Sequence, residues 1–220
     1  MDAAAISLTL QLALSTTLLL LLFGLPLAFW LATGTSRLRH VVAAVVAVPL
    51  VLPPTVLGFY VLEATAPGSV LGDAWLAASG TPLPFSFAGL LVGSLLFNLP
   101  FAVRPFAAAF AAVDPRLWDA AATLGAGRWR CFARVGVPLA WPGIGAGAVL
   151  CFAHAIGEFG VVLMVGGNIP GVTRTLSIAI YDDVQAMRYD RAATTSLALL
   201  VTALLLLTAV QVLQGRRWAR

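Results

Sequence analysis

Chemistry in this chain has few places to reside. Glu158 lies in the apolar stretch AHAIGEFGVVLM, four residues beyond His154 and between Gly157 and Gly160. A carboxyl group set in so apolar a run is costly and marks a functional position by default. As a carboxylate it repels an anion, so its expected role is local capping or pairing, with the glycines letting gate helices pack closely. The competing expectation places it, merely hydrated, near the outer membrane interface. His154 reads as a hydrogen-bonded interior histidine rather than a ligand. Cys131 and Cys151 have no metal-ligand spacing and no accompanying histidine cluster, so they read as small apolar fillers. Two histidines, two unpaired cysteines and no clustered carboxylates give no recognisable active site, and neither a catalytic residue nor a metal site is expected. The chain contains no lysine, which a phosphate-cradling P-loop requires.

The elements that must position these residues are set by composition. Hydrophobic residues make up 60% of the 220, charged residues only 10%, and the mean hydropathy is +0.97. A soluble domain carries about a quarter charged residues. Five runs (3–36, 41–62, 74–103, 135–157 and 192–215) contain no Asp, Glu, Lys or Arg, and each is long enough to cross a bilayer as a helix. A soluble bundle would need a polar face every 3.6 residues, and LLVTALLLLTAVQVL at 199–213 has none. The first run reads as a retained helix rather than a signal peptide, because Arg37 and Arg39 follow it and it exceeds a signal core in length. The expected fold is therefore an all-α integral membrane protein, a single permease-like domain over 1–220. Its crossings are expected near 6–33, 41–62, 84–106, 137–160 and 192–213. Pro49, Pro53 and Pro54 are expected to bend or break the second. The amphipathic segment 172–187 is too short to span and is expected at the outer interface or as a sixth, partial helix. In LFNLPFAVRP, Asn98 and Pro100 point to a kinked helix with freed carbonyls. Residues near 94–101 are the expected pathway. Arg104 could attract anions, but it is expected instead to snorkel to the cytoplasmic interface.

Sidedness follows from arginine. One set of loops, 37–40, 114–134 and 216–220, holds nine arginines, and the other side holds Arg174, Arg188 and Arg191. Positive charge in short loops marks the cytoplasmic side, so the N-terminus is expected outside and the C-terminus inside. The net charge of +4 is a topology signal, and no nucleic-acid partner is expected.

The wettest segment is the cytoplasmic loop 114–134, VDPRLWDAAATLGAGRWRCF with its flanks. Asp114 can cap a helix with Pro115 at its first position. Leu117, Ala121 and Leu124 form a narrow apolar stripe. Gly125-Ala126-Gly127 stops the helix, and a second short helix over RWRCFARV follows. A helix–turn–helix knob with arginines hydrated is expected.

Asp119-Ala120-Ala121, Leu124-Gly125-Ala126, Phe132, Val135 and Pro138 together resemble the cytoplasmic "EAA" loop of bacterial ABC-importer permeases, with Asp in place of the usual Glu. The blocks around Val48–Gly58, LGAGRWRCF, GEFG at 157–160 and GNIPGVTRTLSIAIY at 167–181 extend the resemblance to the molybdate/sulfate-type permeases, nearest to the molybdate branch. The resemblance implies a type I importer fold in a bacterial inner membrane. It also implies a homodimer with two cytoplasmic ATPase subunits and an extracytoplasmic oxyanion-binding protein. Asp119, Ala120, Ala121, Leu124, Gly125, Ala126, Phe132 and Pro138 would couple to the ATPase. Asn98, Pro100, Gly157, Glu158, Phe159 and Gly160 would belong to the gate or pathway. ATP and magnesium would be bound by the partner, with no cofactor on this chain. The implied activity is ATP-driven oxyanion uptake by alternating access, with sulfate or tungstate as alternatives to molybdate and an ATP-independent secondary transporter as a rival class.

Overall fold

The computed structural model describes residues 2–218, with side chains through Thr208 and at Gln211. Arg220 and the side chains of Arg216 and Arg217, which enter the charge count at the C-terminal end, lie outside the described residues. The described residues form ten helices. They are α1 (Ala3–Thr33), α2 (Leu38–Leu50), α3 (Pro54–Thr65), α4 (Val70–Ser79), α5 (Phe87–Ala111), α6 (Pro115–Thr123), α7 (Arg128–Ile156), α8 (Gly160–Gly166), α9 (Leu176–Gln185) and α10 (Tyr189–Trp218). By length and apolarity α1, α5, α7 and the Tyr189–Thr208 part of α10 can each cross a membrane, and the α2–α3 pair adds a fifth span if counted as one.

Proline decides where these helices deviate. The α2–α3 pair is bent by 110° at its break. Pro53 there is extended, at φ −54° and ψ 136°, because the ring of Pro54 forbids the helical region to the residue before it. Both π-helical turns, Leu20–Gly24 in α1 and Phe132–Gly136 in α7, end two residues before a proline, Pro26 and Pro138. A proline cannot bond the carbonyl four residues back and crowds it, and a widened turn accommodates that defect. The expected separate helix over RWRCFARV does not form, because this turn carries it without interruption into α7. Helix α5 remains one helix through Pro100 and Pro105.

Helices α5 and α7 pack along their lengths at the centre, with α1 and α10 against α7. The main core gathers Leu20, Phe29, Val103, Phe106, Phe110 and Ile144. At one end lie the α1–α2 turn, α6 and the start of α7, carrying Arg37, Arg39, Arg116, Arg128, Arg130 and Arg134. At the opposite end Thr9 Oγ1 accepts from Leu176 N at 2.9 Å, and Phe85 N donates to Val165 O at 2.9 Å. Helix α9 has ten residues, about 15 Å of rise, roughly half of a hydrocarbon core. Helix α10 leaves Leu197, Leu200, Val201, Leu204 and Leu205 exposed, an apolar face suited to acyl chains.

Candidate functional site

The polar residues of the apolar interior converge on Glu158. This residue occupies the break between α7 and α8, where Gly157 ends one helix and Gly160 begins the next. It is 4% exposed and level with Ser94 and Asn98, well inside α5. The hydrated interfacial position considered for it is therefore not the one it takes. Ser94 Oγ donates to Glu158 Oε2 at 2.8 Å, and Asn98 Nδ2 donates to the same oxygen at 2.9 Å. Asn98 Nδ2 also donates to Ser94 O at 2.9 Å. Behind them, Thr16 Oγ1 donates to Ser94 Oγ at 3.0 Å. Asn98 Oδ1 lies 2.9 Å from His154 Nδ1. A carbonyl oxygen only accepts, so the partner assigns the histidine proton to Nδ1. His154 in turn stacks on Phe101, with ring centroids 3.6 Å apart.

One carboxylate oxygen thus ties together α1, α5, α7 and the α7–α8 break. The other, Oε1, is buried with no hydrogen-bond partner among the described residues. Beside it opens a cavity of about 570 Å³ lined by Pro54, Thr55, Phe97, His154, Gly157 and Glu158. Buried polar networks of this kind fix one arrangement of the segments they join. Asn98, His154, Gly157 and Glu158 are brought together as a unit. Gly160 belongs to the same wall: a Cβ there would lie 2.7 Å from Pro54 Cβ, so α8 approaches α3 as closely as glycine allows. Pro100 is buried in α5, outside the network, and Phe159 packs on Tyr181 with centroids 5.1 Å apart. Ser94 and Thr16 were not singled out from sequence. Ser94 was legible as the i−4 neighbour of Asn98, whereas nothing near Thr16 in the chain marks it. Among the described residues no group of three or more His, Cys, Asp or Glu could hold a metal ion.

The second constellation is the arginine-rich end. Asp114 caps α6 through its side chain, which accepts from Arg116 N at 2.9 Å, and Gly125 stops it at φ +75°, a left-handed conformation that glycine adopts without strain. The stripe does not pack as a unit. Ala121 is buried, but Leu117 is 44% and Leu124 86% exposed. Helix α6 is held instead by Trp118, whose ring lies 5.6 Å from Phe29, and Phe29 in turn meets Phe110 at 5.4 Å and Phe132 at 5.3 Å. Ring pairs at such separations attract beyond their area burial. Phe132 is therefore an anchor of the loop. Asp119, Ala120, Leu124 and Gly125 face outward with Trp129, 71% exposed, Ala126 is partly covered, and Pro138 is exposed on α7. A rigid, aromatic-pinned platform therefore presents Leu117, Leu124 and Trp129 away from the bundle.

The NIPG…TRT block has a structural account. Arg174 Nε donates to Asn168 Oδ1 and Asn168 Nδ2 donates to Asp182 Oδ2, both at 2.6 Å, while Arg174 pairs with Asp182 at 3.2 Å. Together they close the turn between α8 and α9.

Comparison with known proteins shows the family. The chain matches the family described as "Binding-protein-dependent transport system inner membrane component" over residues 24–218. It is 53% identical to the molybdenum transport system permease protein ModB of Azotobacter vinelandii, over 87% of this chain and 84% of that protein. Identity to ModB of Escherichia coli K12 is 37%, covering 82% and 79%, and to that organism's sulfate transport system permease protein CysT 31%, covering 88% and 70%. Among solved structures, a chain of the bacterial alginate ABC transporter complex aligns with a TM-score of 0.72 at 22% identity, covering 97% of this chain and 78% of that one. A chain of the MetNI methionine ABC transporter aligns with a TM-score of 0.71 at 19% identity, covering 98% and 93%. These likenesses show the fold, that of type I ABC importer permeases. A bundle of apolar helices with Asp119 and Ala120 facing outward from its loop, matched to the family over residues 24–218, belongs to the inner-membrane permease components of binding-protein-dependent ABC importers.

Proposed function

We propose that this chain is the membrane-spanning subunit of an ATP-driven importer of a tetrahedral oxyanion, molybdate foremost. The observation that carries the substrate is the 53% identity, over 87% of the chain, to a molybdenum transport permease. The subunit works as a homodimer, with two ATPase subunits on the arginine-rich side and a binding protein on the other. The N-terminus is outside and the C-terminus cytoplasmic, an orientation supported by the excess of arginine at the end that holds α6. ATP and magnesium sit on the partner. The chain's own contribution is mechanical: Leu117, Leu124 and Trp129 seat in the ATPase, and the Trp118–Phe29–Phe132 cluster passes the motion of α6 to α1 and α7. Glu158 and its donors hold the α7–α8 break, and the bundle opens alternately to either side around it. Sulfate is the second reading, favoured by the 31% identity to a sulfate permease.

The test is uptake into proteoliposomes holding this chain, its ATPase and its binding protein. Radiolabelled molybdate accumulates only when ATP is inside and binding protein outside, and sulfate competes weakly. Accumulation driven by an ion gradient in vesicles containing this chain alone would refute the reading.

A further inference from the structure

An anion crossing an apolar bundle needs a positive contact on its way, and Glu158 cannot supply it. Arg104 can. It lies on α5 toward the arginine-rich end, seven residues before Ala111, is exposed, and makes no ion pair or hydrogen bond with its side chain among the described residues. It lines a second cavity, of about 490 Å³, with Leu31, Ala43, Ala47, Val103 and Ala107. An intramembrane charge without a partner is costly, and it is retained where it faces a water-filled path.

Helical geometry joins this cavity to the first. Phe97, Phe101, Arg104 and Ala108 fall at i, i+4, i+7 and i+11 and share one face of α5. Phe97 lines the cavity beside Glu158, Phe101 is stacked on His154, and Arg104 follows about 10 Å along the axis from Phe97. One helix face therefore carries, in order, an open pocket, an aromatic septum and a lone guanidinium. Every Cα–Cβ bond of a helix tilts toward its N-terminus. The Cα–Cβ bond of Arg104 thus tilts toward Phe101, and its side chain borders the cavity between α1, α2 and α5. Its surroundings are small and apolar, so a charge there acts in a low dielectric. A planar guanidinium offers paired N–H donors to two oxygens of a tetrahedral anion.

We propose that Arg104 is an oxyanion-binding residue of the pathway, receiving the anion on the cytoplasmic side of the Phe97–Phe101–His154 septum. This rests on the reading of the chain as an oxyanion permease. The site accepts the anion from the septum and releases it to the cytoplasm.

The experiment uses the reconstituted complex with saturating binding protein and radiolabelled molybdate. Arg104→Gln lowers uptake by about ten-fold or more, and Arg104→Lys restores only part of it, because the point charge is kept while the paired donors are lost. Uptake by Arg104→Gln at the unmodified rate overturns the proposal and makes Arg104 a lipid-facing residue. Should Arg104→Gln fail to co-purify with the ATPase, Arg104→Cys in a Cys131→Ser background decides. A positively charged aminoethyl thiosulfonate reagent then restores uptake, a negatively charged sulfonatoethyl reagent does not, and molybdate slows modification. Equal effects of the two reagents, or no modification from the aqueous phase, overturn it. If the unmodified complex accumulates no oxyanion with ATP, the importer reading fails instead, and the outcome is distinct.

Discussion

The carboxyl network makes a quantitative claim about Asn98. Its amide donates to Glu158 Oε2 at 2.9 Å and its carbonyl lies 2.9 Å from His154 Nδ1. Asn98→Leu keeps the branched shape at slightly larger size but deletes both links between segments. Hydrogen bonds between membrane helices contribute about 0.6 kcal/mol on average and up to about 1.7. The two deletions together therefore cost about 1–3 kcal/mol, with Glu158 retaining Ser94 as its one donor to Oε2. Glu158→Met alone costs a comparable amount, because Ser94 and Asn98 each lose their acceptor. In the double variant neither an under-solvated carboxyl nor a donor aimed at it remains. Its destabilisation falls short of the sum by about 1 kcal/mol or more, the coupling expected of residues in one network. The assay is reversible unfolding in mixed micelles, titrated with dodecyl sulfate and followed by circular dichroism for all four proteins. Additivity within about 0.5 kcal/mol, the range for independent sites, would refute the network as a cooperative unit.

Four other outcomes are expected. Gly160→Ala places a Cβ 2.7 Å from Pro54 Cβ and costs about 1–3 kcal/mol by overpacking. Gly145→Ala, whose Cβ meets nothing within 4 Å, is neutral or gains up to about 1 kcal/mol of helix propensity in the same unfolding assay. Gly125→Asp finds open space around its Cβ but is strained at φ +75°, by about 1–2 kcal/mol, too little to prevent insertion, while the obstruction on the outward face lowers ATP-dependent uptake about ten-fold or more. Cys131, partly buried near Ala126 O at 3.5 Å, reacts with an impermeant maleimide in inside-out vesicles but not from outside in intact cells. The opposite pattern would reverse the proposed orientation.

Sequence carried further for the coupling loop than for the interior. The cap at Asp114, the stop at Gly125 and the outward Asp119-Ala120 are local features, set by a side-chain acceptor two residues from its donor and by a positive φ. They are therefore visible in consecutive residues. The exposure of Leu117 and Leu124 ran against the apolar stripe read as a unit, because the anchoring force came from Trp118, whose ring partner Phe29 lies far away in the chain. The broken α2–α3 pair followed from Pro53-Pro54, but the 110° angle depends on α3 packing against α8.

By itself the sequence determined that the chain is apolar enough to cross a membrane several times and which loops carry the positive charge. Those properties follow from hydropathy summed over contiguous runs, which no later packing can undo. Only the tertiary structure decided that Thr16, Ser94, Asn98, His154 and Glu158 meet at one carboxylate, and that Phe97, Phe101 and Arg104 link two cavities along one helix face. Contacts such as Thr16 to Ser94 join positions 78 residues apart. In an apolar setting a polar group has few partners, and close packing of helices selects which of them it finds.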